Sequence, residues 1–127
     1  MSGFRILDGD ATPADLMRER RRDAETVNYL LRKINFLFKQ ETYSTSQTLS
    51  HDTYNWFFDT DGGALTATLP AGKTDATFRI VNAGDSGNLL TITPAAGEKL
   101  LGATSSFNLL DNEVLVIVYN KTKLGWY

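Results

Sequence analysis

The chain has 127 residues, no cysteine and a formal charge of −2. That length suits one compact domain with an appendage, and the missing cysteine excludes disulfides, thiol chemistry and cysteine-ligated zinc. The charge gives no global drive toward nucleic acid, although residues 1–40 hold eight Lys/Arg against six Asp/Glu and residues 41–127 hold five against nine, so an anionic partner would have to meet the N-terminal part.

Residues 1–11 set Phe4, Ile6 and Leu7 among Gly and Asp, too few apolar groups to form a core. Two readings stand side by side: a disordered leader, or an anchoring peptide that orders on a partner by adding a strand or filling a groove. The segment lacks the long apolar run and small-residue cleavage site of a secretory signal. The longest apolar run, Val114 to Tyr119, is six residues, against the ~20 that a membrane-crossing helix needs. No membrane insertion is expected.

A helix is predicted over residues 12–40. Thr12 suits the cap, Pro13 the first helical position, and Asp15 the positive end of the helix dipole. No Gly or Pro follows until Gly62. The stretch from Arg18 to Glu25 is almost entirely charged and reads as a solvated face. Beyond it, Val27, Leu30, Ile34 and Leu37 repeat at 3-4-3 spacing, with Leu31 and Phe38 flanking. Four such side chains represent roughly 6–12 kcal/mol of burial per chain before entropy is charged. A lone helix of this kind is marginal in water. The stripe therefore predicts a short coiled coil between copies, with Val27, Leu30, Ile34, Leu37 and Phe38 as oligomerisation residues. The competing use is packing on the chain's own sheet. Val or Ile at the first seam position with Leu at the fourth favours two strands.

From residue 41 the pattern changes to short β-type runs between turn residues. Strands are predicted over residues 42–49, 53–58, 64–69, 76–82, 88–93, 105–110, 113–120 and 123–127, and together they read as an antiparallel sandwich or small barrel. Leu65, Ala67 and Leu69 make one inward face, as do Phe78 with Ile80 and Leu90 with Ile92. The strand Val114–Tyr119 is apolar on both faces, so its outer face should be covered by a neighbouring subunit or by the helix.

Catalytic and ligand-binding patterns are weak. His51 is the single histidine, and its neighbours Ser50 and Asp52 point away from it on an extended chain, so no hydrolase triad is expected. His51 reads as a solvated loop residue. Asp59-Thr-Asp-Gly62 lacks the carboxylates an EF-hand loop needs at its first and last positions and reads as a hairpin turn. No phosphate loop or dinucleotide fingerprint is present. No metal, cofactor or catalytic residue is assigned. Tyr43, Tyr54, Trp56, Phe57 and Phe58 cluster ahead of the first Gly turn. Core or interface packing is their commoner use, with Tyr54 and Trp56 the candidates for an exposed, glycan-contacting face.

Residues 63–127 carry a longer pattern. Leu69-Pro70 ends a strand, and Phe78-Arg-Ile-Val-Asn82 precedes Gly84 and Gly87. Leu90-Thr-Ile-Thr-Pro94, Gly97 and Leu100-Leu-Gly102 follow, then Leu110, Val116-Ile-Val-Tyr119 and Gly125-Trp-Tyr127. This order resembles a β module of bacteriophage virion proteins, notably fibre and head-attached accessory proteins. The resemblance covers about half the chain. It implies a non-enzymatic homotrimeric knob or decoration, fixed to capsid or tail proteins by its N-terminal segment, and it transfers no catalytic residue. The larger β interface would then override the two-stranded preference of the short seam.

The combined expectation is a mainly β virion protein in three parts. Residues 1–11 anchor it, residues 12–40 trimerise it, and residues 41–127 form an outward β-sandwich knob. The capsid surface is preferred as decoration or head fibre, ahead of a short tail-fibre adhesin for a host surface glycan and a cellular carbohydrate-binding module.

Overall fold

A computed structural model describes the backbone of residues 13–127 and the side chains from residue 23 onward. Thr12, the anchoring residues Phe4, Ile6 and Leu7, and the side chains of the charged run up to Arg22 lie outside the described residues.

One helix, α1, spans Pro13–Phe38. Proline opens it, where its missing N–H costs nothing. Nearly half of the residues that follow are Leu, Arg, Glu or Lys, which lose little side-chain freedom in a helix. No glycine ends it. The chain leaves the helix at Lys39, and two carbonyls of the last turn are met by the β region instead: Phe36 O accepts from the Tyr54 N–H at 3.2 Å, and Leu37 O accepts from Asn55 Nδ2 at 2.8 Å. These bonds satisfy acceptors that a helix end otherwise leaves open. The chain divides into two compact units, Met1–Ile34 and Asn35–Tyr127. The last helical turn thus belongs to the β unit.

Ten strands follow: β1 Gln40–Tyr43, β2 Gln47–Thr48, β3 Asn55–Phe58, β4 Leu65–Thr68, β5 Thr77–Asn82, β6 Leu90–Thr93, β7 Lys99–Leu100, β8 Phe107–Leu109, β9 Val114–Asn120 and β10 Gly125–Trp126. They form a six-stranded sheet ordered β1-β3-β5-β9-β10-β7 and a four-stranded sheet ordered β2-β4-β6-β8. From β1 to β9 the chain changes sheet at every connection. Strands β1, β3 and β5 therefore run parallel, as do β2, β4 and β6. The first six strands make three turns of a solenoid. Among the named strands, antiparallel pairing enters with β8 against β6, β9 against β5, and β10 against β9.

The mainly β architecture with a preceding helix agrees with the sequence expectation, but the antiparallel pairing does not. Turns that resemble hairpin turns here carry the chain between sheets, so Asp59-Thr-Asp-Gly62 links β3 in one sheet to β4 in the other and is no hairpin. The run expected as one strand over residues 42–49 is two strands, one in each sheet. Strand β7, also unexpected, joins the edge of the larger sheet.

The core lies between the sheets. Trp56, Phe58, Phe78, Ile80, Ile117 and Trp126 enter from the larger sheet, and Ala67, Leu90, Ile92 and Leu109 from the smaller one, joined by Leu49 and Leu69. Phe78 and Trp126 stack at 5.2 Å between ring centroids, and Tyr119 meets Trp126 edge-on at 5.3 Å. Asn82 ties the two sheets at one end. It is fully buried, and its amide donates to Asn88 O at 3.1 Å and to Leu109 O of β8 at 3.0 Å. Its Oδ1 accepts from the Thr60 hydroxyl at 2.7 Å and the Gly84 N–H at 3.0 Å. A buried amide is tolerable because all these bonds are made. Gly84 is required beside it, since an added Cβ would lie 2.1 Å from Thr60 Oγ1.

Candidate functional site

The helix stripe is open. Val27, Leu30, Ile34, Leu37 and Phe38 are between 48% and 71% exposed, and Tyr29 and Leu31 join them. Five neighbouring apolar side chains in water cost far more than scattered surface leucines.

A second open apolar surface lies on the outside of the six-stranded sheet. Along β9, Ile117 and Tyr119 point into the core while Val114, Val116 and Val118 point out. The outward row continues across the sheet. Val114 stands beside Val81, Val116 beside Arg79, and Val118 beside Thr77. On the other side, Val118 and Tyr127 exchange two backbone hydrogen bonds of 2.8 and 2.9 Å, and the Leu101 N–H bonds Trp126 O at 2.8 Å. Tyr127 and Leu101 are 42% and 43% exposed. The guanidinium of Arg79 sits 5.6 Å from the Phe57 ring centroid, within cation–π range. Within the unit Asn35–Tyr127, Val114, Val116 and Val118 stay exposed.

The outside of the four-stranded sheet has opposite chemistry. Thr66 pairs with Thr91 and Thr68 with Thr93, while Thr48 pairs with Thr68 and Asn108 with Thr91. Their polar groups are engaged: Thr91 Oγ1 donates to Asn108 Oδ1 at 2.9 Å, and the Thr93 and Ser106 hydroxyls are 3.0 Å apart. Water suits this face.

The candidates for glycan contact separate. Trp56 is 4% exposed, stacks on Tyr43 at 5.3 Å and donates its indole N–H to Thr53 O at 3.0 Å. It is a core residue and has no exposed ring to offer a sugar, which overturns the expectation. The parity of β3 explains this, because Trp56 and Phe58 share the inward face and Asn55 and Phe57 the outward one. Tyr54 is half-buried with its ring 6.0 Å from Phe36.

His51 is also corrected, from a solvated loop residue to a half-buried ring stacked near Phe78 and Trp126 at 5.8 and 6.4 Å. Its Nε2 donates to Ala71 O at 2.9 Å, since a carbonyl can only accept. Ser50 gives its hydrogen bond to Asp52, and that bond holds the Asp52 carboxyl below its usual range. The three side chains do not form a relay.

Asp59 and Asp61 organise turns. Asp61 Oδ1 accepts from the Asp85 N–H at 2.7 Å and the Ser86 hydroxyl at 3.0 Å, which lowers its carboxyl from the ordinary value. Asp59 accepts from the Asp61 N–H. Among the described residues no group of three or more His, Asp or Glu is placed to hold a metal ion. Elsewhere the hydrogen bond to Glu41, helped by burial, pushes the Tyr43 phenol up to about 12. Burial, then Glu98, raises the Tyr119 phenol. Among the described residues no helix is long and apolar enough to cross a membrane.

No known protein family and no curated protein matches the chain, so the likeness to phage virion modules rests on the sequence pattern alone. Leu101 and Tyr127 escaped the sequence reading as surface residues. Leu101 adopts φ 52°, a backbone state that nothing in Leu100-Leu-Gly102 announces.

Proposed function

We propose that the protein is a non-enzymatic structural component of a phage virion, assembled as a homotrimer through its helix. The observation that carries this reading is the open stripe of Val27, Leu30, Ile34, Leu37 and Phe38 on a helix whose last turn is bonded into the β unit. Such a helix needs partner helices, and copies of itself are the simplest source. Three strands are taken from the resemblance of residues 63–127 to virion modules. The N-terminal segment with Phe4, Ile6 and Leu7 then docks on capsid proteins, and the β unit is displayed as decoration or head fibre. Loss of Trp56 as an exposed ring removes the main support for a tail-fibre adhesin or carbohydrate-binding module.

The test is co-sedimentation of the full chain, and of a chain lacking residues 1–11, with purified capsids of the phage that carries the gene. The full chain is expected to pellet and the shortened chain to stay in solution with its oligomer intact. A full chain that stays in solution would contradict capsid attachment.

A further inference from the structure

We infer that residues 70–75, which carry the chain from β4 to β5, form a strap latched by the Glu98 carboxylate, and that protonation of Glu98 releases the strap from the aromatic layer around Trp126. The strap, the latch and the layer all lie within the unit Asn35–Tyr127.

Little else holds the strap. Ahead of it the Leu69 N–H bonds Thr93 O at 2.8 Å, and behind it Ala76 O accepts from the Tyr119 N–H at 2.9 Å. Between these anchors, among the described residues, two side chains tie it to the rest of the protein. The Gly72 N–H donates to both oxygens of Glu98 at 3.0 Å, and His51 Nε2 donates to Ala71 O at 2.9 Å. The remaining bonds, from the Ala76 N–H to Lys73 O and from the Thr77 hydroxyl to Asp75 O, are local. Ala71, Lys73, Thr74 and Asp75 are exposed. A segment with so few anchors opens before a core strand does.

The strap covers a layer that gains from water. An added Cβ at Gly72 would lie 1.9 Å from Tyr119 Cε1, so the strap backbone rests directly on the Tyr119 ring. The Tyr119 hydroxyl bonds the same Glu98 carboxylate. Tyr119 meets Trp126 edge-on, and His51, the second tie, stacks on Phe78 and Trp126. Trp126 is fully buried, yet its Nε1–H has no hydrogen-bond partner among the described residues. A buried donor left without a partner favours any opening that admits water. The latch opposes that opening.

Charge makes the latch switchable. An ionised carboxylate accepts stronger hydrogen bonds than a neutral carboxyl, and protonation also turns one of its oxygens into a donor beside two other donors. His51 keeps its bond throughout, because a ring N–H donates to a carbonyl whether the imidazole is neutral or protonated. The neighbouring elements carry Lys73 and Asp75 on the strap, Lys99 on β7, and Lys121 and Lys123 in the β9–β10 turn. None forms an ion pair with Glu98, and Asp52 beside His51 is engaged by Ser50 and Lys39. The switch is therefore Glu98 itself.

Amide exchange on the full chain, followed by NMR as protection relative to the intrinsic rate at each pH, tests this. Going from about pH 7 to about pH 3, protection of Gly72 should fall about tenfold or more. Arg79, whose N–H bonds Tyr54 O at 2.9 Å in the sheet, should keep its protection. Glu98→Gln should show the released value already at about pH 7, with no further fall on acidification. Trypsin should then cut that variant after Lys73 about tenfold faster than the native chain. Gly72 protection that is unchanged by acid, or that falls in step with Arg79, would overturn the proposal, as would equal protection in Glu98→Gln. The acid series needs the native chain alone, so it decides the matter even if the variant folds poorly.

Discussion

The two sheets are built from the same kinds of strand and share one core, yet their outer faces differ. The six-stranded sheet shows Val114, Val116 and Val118 of β9 beside Thr77, Arg79 and Asn120, while the four-stranded sheet shows Thr66, Thr68, Thr91, Thr93 and Asn108. The inner faces are alike because both meet the same apolar layer, and packing there is dictated by volume. The outer faces are set by what lies beyond the protein. Alternation along a strand therefore carries two messages, one about the fold and one about its surroundings. In β9 the second is as legible as the first.

The largest way to disturb this arrangement is to cut the tie between the sheets. Asn82→Ala removes donors to Asn88 O and Leu109 O and acceptors for Thr60 and Gly84. With several buried groups left unmatched, a loss of about 3 kcal/mol is expected, read as a fall in the urea midpoint. Next is the face itself. The triple variant Val114→Thr, Val116→Thr, Val118→Thr copies the chemistry of the opposite sheet. Each change should cost the chain no more than about 0.5 kcal/mol, read in the urea midpoint. The reverse change, Thr66→Val with Thr91→Val, should add concentration-dependent larger species through a second apolar face, read by sedimentation.

The smallest effect concerns pH. Folding holds the Asp61 carboxyl below its ordinary value of 3.8, chiefly through the Asp85 N–H and the Ser86 hydroxyl. Its contribution is fully present above the unfolded pKa and lost as pH falls through the lower folded one. Asp61→Asn keeps an acceptor and loses the titration, so its Tm should fall less than that of the native chain between about pH 5 and about pH 2. Neither apolar face contains Asp61, so assembly should not change.

The helix and most strands were legible because their signals are local. Pro13, the absence of glycine before Gly62, and turns such as Pro70-Ala-Gly72 mark where elements begin and end. Parallel pairing was not legible, since a turn that crosses between sheets uses the same residues as one that reverses within a sheet. Residues 42–49 show this, with a continuous β pattern divided between sheets at Ser44 to Ser46. The apolar stripe of the helix and the two apolar faces of β9 are visible in the sequence because each follows the period of its element. Trp56 was misplaced because an aromatic cluster does not state its own parity. The tie made by Asn82 depends on partners 6 and 27 residues away, which no local pattern reveals.

Light scattering on the full chain tests the central claim most directly, because the open helix stripe is proposed to be covered by copies of the same chain. The account predicts a mass three times that of the 14.1 kDa chain, stable on dilution through the micromolar range. A mass equal to one chain at every concentration would contradict it.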